Sequence, residues 1–207
     1  MLKKTVSGIT AGLLISLGGT VFLAAENKVV GAVAFTISLL SICYYGLSLY
    51  TGKVGYLFEK HDKEAFSVLF LGLLGNTVGT VVCGLLLRVC RPAVAEKAES
   101  ICAAKLGLDP LSVFLLGCFC GILVYVAVNL FRDKKTVLGI LIGIPVFILS
   151  GFEHSIADMF YMAAAGEFSL RALVFILLVI AGNSAGALLF DRLLAGAGVK
   201  KRGGCHE

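Results

Sequence analysis

The order of apolar and polar residues along the chain predicts helices that cross a membrane. Six apolar runs are separated by short polar segments, and each run is long enough to cross a bilayer as a helix, which takes roughly 20 residues. The runs cover residues 5–25, 29–50, 66–87, 111–131, 136–165 and 170–194. Backbone groups that face lipid must be hydrogen-bonded within their own segment. The pattern therefore predicts an all-α membrane protein with six transmembrane helices.

Two of the six runs are interrupted by polar residues and glycine. The second ends in the sequence LYTGKVG, residues 49–55, and then continues with further apolar residues. The fifth is broken near Ser150 and Gly151 and resumes through Met159. Backbone that is not helical is tolerated at membrane depth only where it is buried in protein or lines a wet cavity. Helices 2 and 5 are therefore predicted to be broken, with both breaks facing one central path.

A short motif occurs at corresponding places in the two halves of the chain. Gly75-Asn-Thr-Val-Gly79 lies in the third run and Gly182-Asn-Ser-Ala-Gly186 in the sixth, 107 residues further on. Three spans followed by three similar spans are inverted in the membrane, as in many transporters and channels. Coincidence is the alternative, because the motif is short and glycine is common here. The predicted organisation is one channel domain, residues 1–207, with repeat one at about 5–87, repeat two at about 111–194 and a basic cytoplasmic tail at 195–207.

Composition and charge agree with a membrane location. Hydrophobic residues make up 58% of the 207-residue chain, charged residues 15%, and the mean hydropathy is +0.97; soluble domains are about half apolar and a quarter charged. Twelve of the 18 Lys and Arg residues fall on the side that holds both termini. The positive-inside rule then predicts cytoplasmic termini in the cell (inner) membrane. The net charge of +5 follows from this topology and gives no reason to expect a nucleic-acid partner.

The sequence LSGFEHSIADMF, residues 149–160, places Glu153, His154 and Asp158 inside an apolar run. An ionisable residue within a transmembrane segment is a functional hypothesis by default. For His154 the competing interpretation is a structural histidine held by hydrogen bonds. Glu153 is expected to bond backbone amides freed at the break. Asp158 is expected to do the same or to lie toward a subunit contact.

The seven cysteines follow no pairing pattern. Cys90 and Cys102 share the predicted outer loop, which leaves a disulfide between them open. Cys205 and His206 in the tail are too few ligands for a metal site, since zinc sites in proteins take three or four. The sequence predicts no catalytic residue, no metal site and no cofactor.

Two elements resemble the formate–nitrite transporter family. Gly151-Phe-Glu-His-Ser-Ile-Ala-Asp-Met-Phe160 is similar to that family's G-F-E-H-S-[VI]-A-N-M signature, and Leu49-Tyr-Thr-Gly52 is similar to its L-F-T-G/S element. The paired G-N-x-x-G segments also lie where the family has them, so the resemblance extends over all six runs. It implies an aquaporin-like bundle of inverted three-helix repeats, usually a homo-pentamer with one pore in each protomer. Such proteins pass small monovalent anions or their conjugate weak acids, among them formate, nitrite and hydrosulfide.

The resemblance also implies a substrate pathway. In it, His154 is the central pore histidine, and Thr51 is the threonine of the broken second helix. Apolar constrictions lie on the two sides of the histidine, and a lysine attracts the anion at the outer mouth. The constrictions correspond to Phe147 on one side and to Phe35, Leu39 and Tyr50 on the other, and the lysine to Lys105.

Three residues depart from the family pattern. Gly121 stands in place of an asparagine in the fourth span, Asp158 replaces the asparagine of the signature, and Lys53 stands where asparagine is common. A glycine has neither bulk nor a side-chain donor. Gly121 is therefore expected to widen the middle of the pore and to relax selectivity.

Desolvation gives a reason for a histidine at membrane depth. A bare anion is costly in a dry interior, and desolvation favours the neutral form of an acid. The permeant is therefore expected to take a proton near His154, from water or from the ring, and to cross as a neutral species. An aquaporin-type channel for neutral solutes is the alternative, although neither break carries an Asn-Pro-Ala motif. A membrane enzyme or sensor is a third possibility, but only one histidine lies at membrane depth.

Overall fold

The computed structural model describes residues 1–57 and 63–199. Residues 58–62 and 200–207 lie outside the described residues, and with them Cys205, His206 and most of the predicted tail. Within the described ranges the chain forms nine α-helices, with a 3-10 turn at Val54–Tyr56 and no strand. The helices are α1 Leu2–Ala24, α2 Lys28–Tyr44, α3 Tyr50–Lys53, α4 Lys63–Cys90, α5 Pro92–Leu106, α6 Pro110–Lys134, α7 Leu138–Leu149, α8 Ser155–Ala165 and α9 Leu170–Gly196.

Four of these helices, α1, α4, α6 and α9, are long and apolar enough to cross a membrane. Helices α2 and α7 are apolar but shorter. In α4 the buried residues are all small or polar: Gly72, Gly75, Asn76, Gly79, Thr80 and Gly84. Its large apolar residues, such as Phe70 and Leu74, are exposed instead. A small and polar interior behind an apolar surface is typical of helices packed in lipid. The protein is therefore a multi-pass membrane protein.

Glycine allows the long helices to approach closely at two crossings. A Cβ atom at Gly12 of α1 would lie 2.5 Å from the carbonyl oxygen of Asn76 in α4. A Cβ atom at Gly121 of α6 would collide with the carbonyl oxygen of Asn183 in α9. Residues without a side chain bring the backbones into direct contact, as in other membrane helix pairs. The motif asparagines of the sequence analysis therefore lie at both crossings.

Helices α2 and α7 end in the same way. Gly46 follows α2 with φ +64°, and the amide after it bonds the carbonyl of Ile42 at 2.9 Å. Gly151 follows α7 with φ +69°, and the amide after it bonds the carbonyl of Phe147 at 3.0 Å. A left-handed residue followed by this bond is the Schellman termination of a helix, and glycine adopts the left-handed conformation without strain. Each helix therefore ends at a glycine inside its apolar run.

Asn76 holds the chain that follows α2. Its side-chain amide donates to the carbonyls of Gly8 and Ser48, at 2.8 and 2.9 Å. Its side-chain oxygen accepts from the amide of Tyr50 at 2.9 Å, where α3 begins. The carbonyl of Ser48 and the amide of Tyr50, which have no helical partners at the break, are thereby satisfied.

Asn183 makes the same three bonds in the second half. It donates to the carbonyls of Gly117 and Glu153, at 2.9 and 2.8 Å, and accepts from the amide of Ser155 at 2.9 Å, where α8 begins. The two asparagines thus tie each short helix, α3 and α8, to a long helix pair.

Helix α5 occupies the segment that was predicted to be an outer loop. It begins with Pro92, which suits the first turn because that position needs no backbone donor. Its buried face, which includes Ala98 and Cys102, packs mainly on α8. Cys90 is exposed at the end of α4, and both cysteines are free thiols. The question that the sequence left open is thereby answered: Cys90 and Cys102 are not joined, and Cys102 is buried in the packing of α5.

Candidate functional site

His154 connects the two interrupted segments of the chain. It is the residue before α8 and is only 4% exposed. Its Nδ1 accepts a hydrogen bond from the amide of Ala157 at 3.1 Å, which caps the first turn of α8. Its Nε2 lies 2.9 Å from Oγ1 of Thr51, the buried residue of α3. The segments that follow α2 and α7 therefore meet at one buried polar contact.

The cap on α8 decides which ring nitrogen carries the hydrogen. An amide can only donate, so Nδ1 must present its lone pair to Ala157. In the neutral ring the hydrogen is then on Nε2, which donates to the hydroxyl oxygen of Thr51. The hydroxyl of Thr51 keeps its own hydrogen for a further bond. The Nε2 hydrogen is thus used within the pair, and the hydroxyl hydrogen of Thr51 is the donor that this buried contact leaves over.

A cavity of about 720 Å³ reaches Glu153 and Ala157 on either side of His154 in the sequence, but neither His154 nor Thr51 lines it. It is bounded by the end of α1, by α2, by α5, by the end of α7 and by α8. Phe147 lines the cavity and also stacks on the ring of His154, with centroids 5.7 Å apart and planes at 21°. Phe35 lines the same cavity. The expectation that Phe35 and Phe147 lie on opposite sides of His154 is therefore wrong: α2 and α7 bring both rings to one side.

The other residues of the implied pathway lie elsewhere. Leu39 is 2% exposed in the core. The hydroxyl of Tyr50 shares a hydrogen bond of 2.8 Å with that of Ser184 in α9. Neither lines the cavity, so their part in a constriction stays a prediction. Lys53, at the end of α3, donates to the hydroxyl of Ser48 at 3.3 Å.

Lys105 lies in the last turn of α5 and lines the cavity. Its Nζ is in ion-pair contact with Oε2 of Glu153 and lies 3.0 Å from Oδ1 of Asp158. The side chains of Lys105, Glu153 and Asp158 are 16%, 3% and 1% exposed. Burial lowers the pKa of Lys105, but Asp158 and Glu153 together raise it above its ordinary value. The lysine is therefore a cation already shared by two carboxylates.

These contacts correct the expected role of Glu153. The amides of Ser155 and Ala157, freed at the break, are bonded by Asn183 and by His154. Glu153 is therefore left to pair with Lys105. The sequence does not reveal this pair, because 48 residues separate its two members.

Gly121 does not widen a pore in this structure. It is buried where α6 crosses α9, and an added side chain would meet the backbone of Asn183. The expectation of a wider mid-pore at this position is wrong, because the crossing fills the space that the missing side chain leaves.

Asn76 and Asn183 are not among the site residues that the sequence predicts. The recurrence of one asparagine in each half carries the signal for their role. A buried amide has two donors and an acceptor, which is what an interrupted helix leaves to satisfy. The glycines and the repetition of the motif predict helix packing and an inverted repeat, but they do not predict these bonds.

Comparison with known proteins agrees with the resemblance. The formate/nitrite transporter family profile matches residues 1–197. The chain is 26% identical over 180 residues to formate channel FocA of Haemophilus influenzae, covering 75% of this chain and 63% of that protein. It is 27% identical over 169 residues to the uncharacterized transporter YwcJ of Bacillus subtilis, covering 73% of this chain and 65% of that protein. The chain thus matches less than two thirds of the length of either relative.

Solved structures share the fold. An FNT family ion channel superposes with a TM-score of 0.76 at 23% identity, covering 96% of this chain and 89% of that one. A pentameric formate channel with formate bound superposes with a TM-score of 0.77 at 23% identity, covering 95% of this chain and 96% of that one. The family match, which spans almost all of the sequence, decides the assignment. The chain belongs to the formate/nitrite transporter family.

Proposed function

We propose that the protein is a membrane channel for small monovalent anions or their conjugate weak acids, such as formate, nitrite or hydrosulfide. The observation that carries the proposal is the buried contact between Thr51 and His154, together with the ring of Phe147, which stacks on His154 and lines the cavity. Such an arrangement gives a small solute an apolar approach and then a hydrogen-bond donor at the centre. The family and the formate channels of the same fold support it.

The proposed architecture has six membrane crossings arranged as two inverted repeats of three. In it α2 with α3, and α7 with α8, each form one broken crossing, while α5 lies at the outer surface. The matching bonds of Asn76 and Asn183 support the repeat. Both termini are cytoplasmic in the cell membrane, as the basic residues indicate. The assembly is a homo-pentamer, by analogy with the pentameric formate channel of the same fold.

The proposed permeant crosses as a neutral acid. An anion that passes between Phe35 and Phe147 loses water, and an unpaired ion in a dry interior costs several kcal/mol even after relaxation. Protonation removes that cost. The Nδ1 lone pair of His154 is occupied by the α8 cap, so the ring cannot hold a second proton without losing that bond. Of the two proton sources, water in the cavity is therefore favoured, and His154 acts as a hydrogen-bond donor.

Flux measurements in proteoliposomes test the proposal. Uptake of formate, nitrite and hydrosulfide is expected, with little uptake of glycerol, a faster rate as external pH falls, and almost no net current. Glycerol uptake without acid uptake would indicate an aquaporin-type channel instead. Sustained currents that follow the substrate anion would contradict the neutral-acid crossing. The absence of any flux from well-assembled protein would overturn the channel assignment.

A further inference from the structure

Three ionisable groups joined by ion pairs at the cavity wall do not balance in charge. Lys105 is the one cation among Lys105, Glu153 and Asp158, here called the Lys105 cluster. Lys105 and Glu153 line the cavity, and Asp158 lies behind them on α8. When all three groups are ionised the cluster carries one negative charge. When one carboxyl holds a proton, the cluster is neutral.

The burial of Asp158 favours the protonated state. Its side chain is 1% exposed, and Lys105 contacts only its Oδ1. Its Oδ2 is buried and has no hydrogen-bond partner among the described residues. A buried charge that lacks full pairing is far more costly than a neutral polar group in the same place. A proton on this carboxyl removes the uncompensated charge and leaves the bond to Lys105 intact.

The start of α8 is the main opposing influence, because a helix N-terminus stabilises negative charge. Two of its first amides are already bonded, however: that of Ser155 by Asn183 and that of Ala157 by His154. The amide of Asp158 itself bonds the carbonyl of His154. Few unbonded amides therefore remain at the start of α8 to stabilise a second carboxylate.

The remaining ionisable groups near Asp158 place no further cation in contact with its carboxyl group in the part of the chain that the structure describes. The thiols and the phenol among them are neutral at physiological pH, and the arginine lies at the far end of α8, bonded to the carbonyls of Ala164 and Ala165. They are His154 and Tyr161 on or beside α8, Cys102 of α5, Cys120 of α6, Arg88 of α4, Glu167 after α8, and Glu26, Lys28 and Lys97 on the cavity wall. Among the described residues no second positive charge forms an ion pair with the carboxyl groups of the cluster, and Lys28 and Lys97 line the cavity without contacting them.

We propose that the Lys105 cluster is a proton-binding site at the wall of the cavity, and that the proton on Asp158 sets the charge that an entering anion meets. With the proton bound the cluster is neutral and the anion enters. Without it, an extra negative charge repels the anion before it reaches Phe147. The effect on transport rests on the proposed channel function, whereas the proton site itself does not. An asparagine at position 158, as in the family signature, would have no proton to lose.

Infrared spectroscopy of the purified protein tests the proton site without any transport. At neutral pH the wild type is expected to show the carbonyl band of a protonated carboxyl group, which shifts in heavy water and disappears at high pH. Asp158→Asn and Glu153→Gln should both remove the band, since either leaves one carboxylate for one lysine. Asp109→Asn is the matched control. Asp109 lies near the same mouth and caps α6, a role that asparagine also performs. This control should keep the band.

The ratio of two uptake rates tests the effect on transport. At each external pH, the rate of formate uptake by Asp158→Asn is divided by the rate of uptake by the wild type. This ratio removes the effect of the titration of formate itself, which is the same for both proteins. The ratio should be near one at low pH and should rise on the order of tenfold at high pH, as expected for one unit charge at short range in a partly buried site. Asp109→Asn should give a ratio that does not change with pH.

The outcomes separate the proton site from the channel. A wild type without the band, or a band that persists in both Asp158→Asn and Glu153→Gln, overturns the proton site. A band that behaves as expected together with a pH-independent uptake ratio overturns the control of anion entry. If no variant transports anything, the channel proposal fails, and the infrared result still decides whether the proton site exists.

Discussion

His154 has two roles at once, since one ring nitrogen caps α8 and the other bonds Thr51. His154→Phe should abolish both, whereas His154→Asn should keep a cap and lose the reach to Thr51. We expect both variants to lose most weak-acid uptake. Only the phenylalanine variant should also lose about 1 kcal/mol of stability, the usual worth of a helix cap. Uptake and thermal unfolding measured on the same preparations check this. Full uptake by a well-assembled His154→Phe protein would reject the pore role.

Lys105 is the cation paired with two buried carboxyl groups, so its removal should destabilise the protein. Breaking a buried ion pair by removing one partner costs about 3–5 kcal/mol, and Lys105→Met should show a loss of this size at neutral pH. The loss should shrink as pH falls, because protonated carboxyls need no cation. Lys97→Met is the control: Lys97 lines the same cavity but is exposed, and we expect a change within about 0.5 kcal/mol. If Lys105 served only to attract anions, its removal would slow uptake at low salt and leave the melting temperature unchanged.

At the scale of helices, Asn76 and Asn183 each bond one short helix to a pair of long helices. Asn183→Ala should leave the carbonyl of Glu153 and the amide of Ser155 unsatisfied, at about 1–3 kcal/mol for each buried group, and should also remove the bond to the carbonyl of Gly117. Asn129 on α6 offers a comparison, because its side-chain oxygen is buried with no partner among the described residues. Thermal unfolding in detergent should show a much larger loss for Asn183→Ala than for Asn129→Ala. Equal losses would mean that the three bonds contribute little.

A substitution at the crossing of α6 and α9 should disturb the packing of the two helices, because their backbones are in direct contact there. Gly121→Ala would place a Cβ atom against the carbonyl of Asn183, so we expect poor folding and reduced assembly without a new substrate range. Gly143→Ala on α7 is the matched control, because its Cβ would meet Ala127 at an ordinary 3.5 Å. Yield, gel-filtration profile and substrate profile are the measurements. A stable Gly121→Ala protein that accepts different acids would show that position 121 faces the pathway.

At the scale of the whole molecule, the outward surface of the chain is strongly apolar. Large residues such as Leu17, Ile37, Phe70 and Leu177 are more than half exposed, and they must face lipid or neighbouring protomers. The proposed pentamer would cover part of this surface. Purified protein should give particles of five-fold symmetry with a mass near five times 21.8 kDa, apart from bound detergent. A clean monomer or trimer by single-particle imaging would overturn the pentamer.

Much of the architecture is set by local pattern. Apolar runs of sufficient length predict the four long helices, and the structure confirms those four, while the second and fifth runs hold shorter helices. The interruptions predicted in these two runs coincide with the ends of α2 and α7, although the first comes a few residues earlier than the sequence indicated. His154 is conspicuous in the sequence because an ionisable residue in an apolar run is costly wherever it points. Such features depend on neighbouring residues only.

The contacts that define the site were decided by tertiary structure alone. Thr51 and His154 are 103 residues apart, and Lys105 and Glu153 are 48 apart. Whether such groups meet depends on which helix faces pack together, and a single sequence does not contain that information. The same reason explains why Phe35 and Phe147 line the same cavity and why α5 packs on α8. Length and hydropathy determine that a segment is helical and lies in the membrane, but only packing determines what each of its side chains touches.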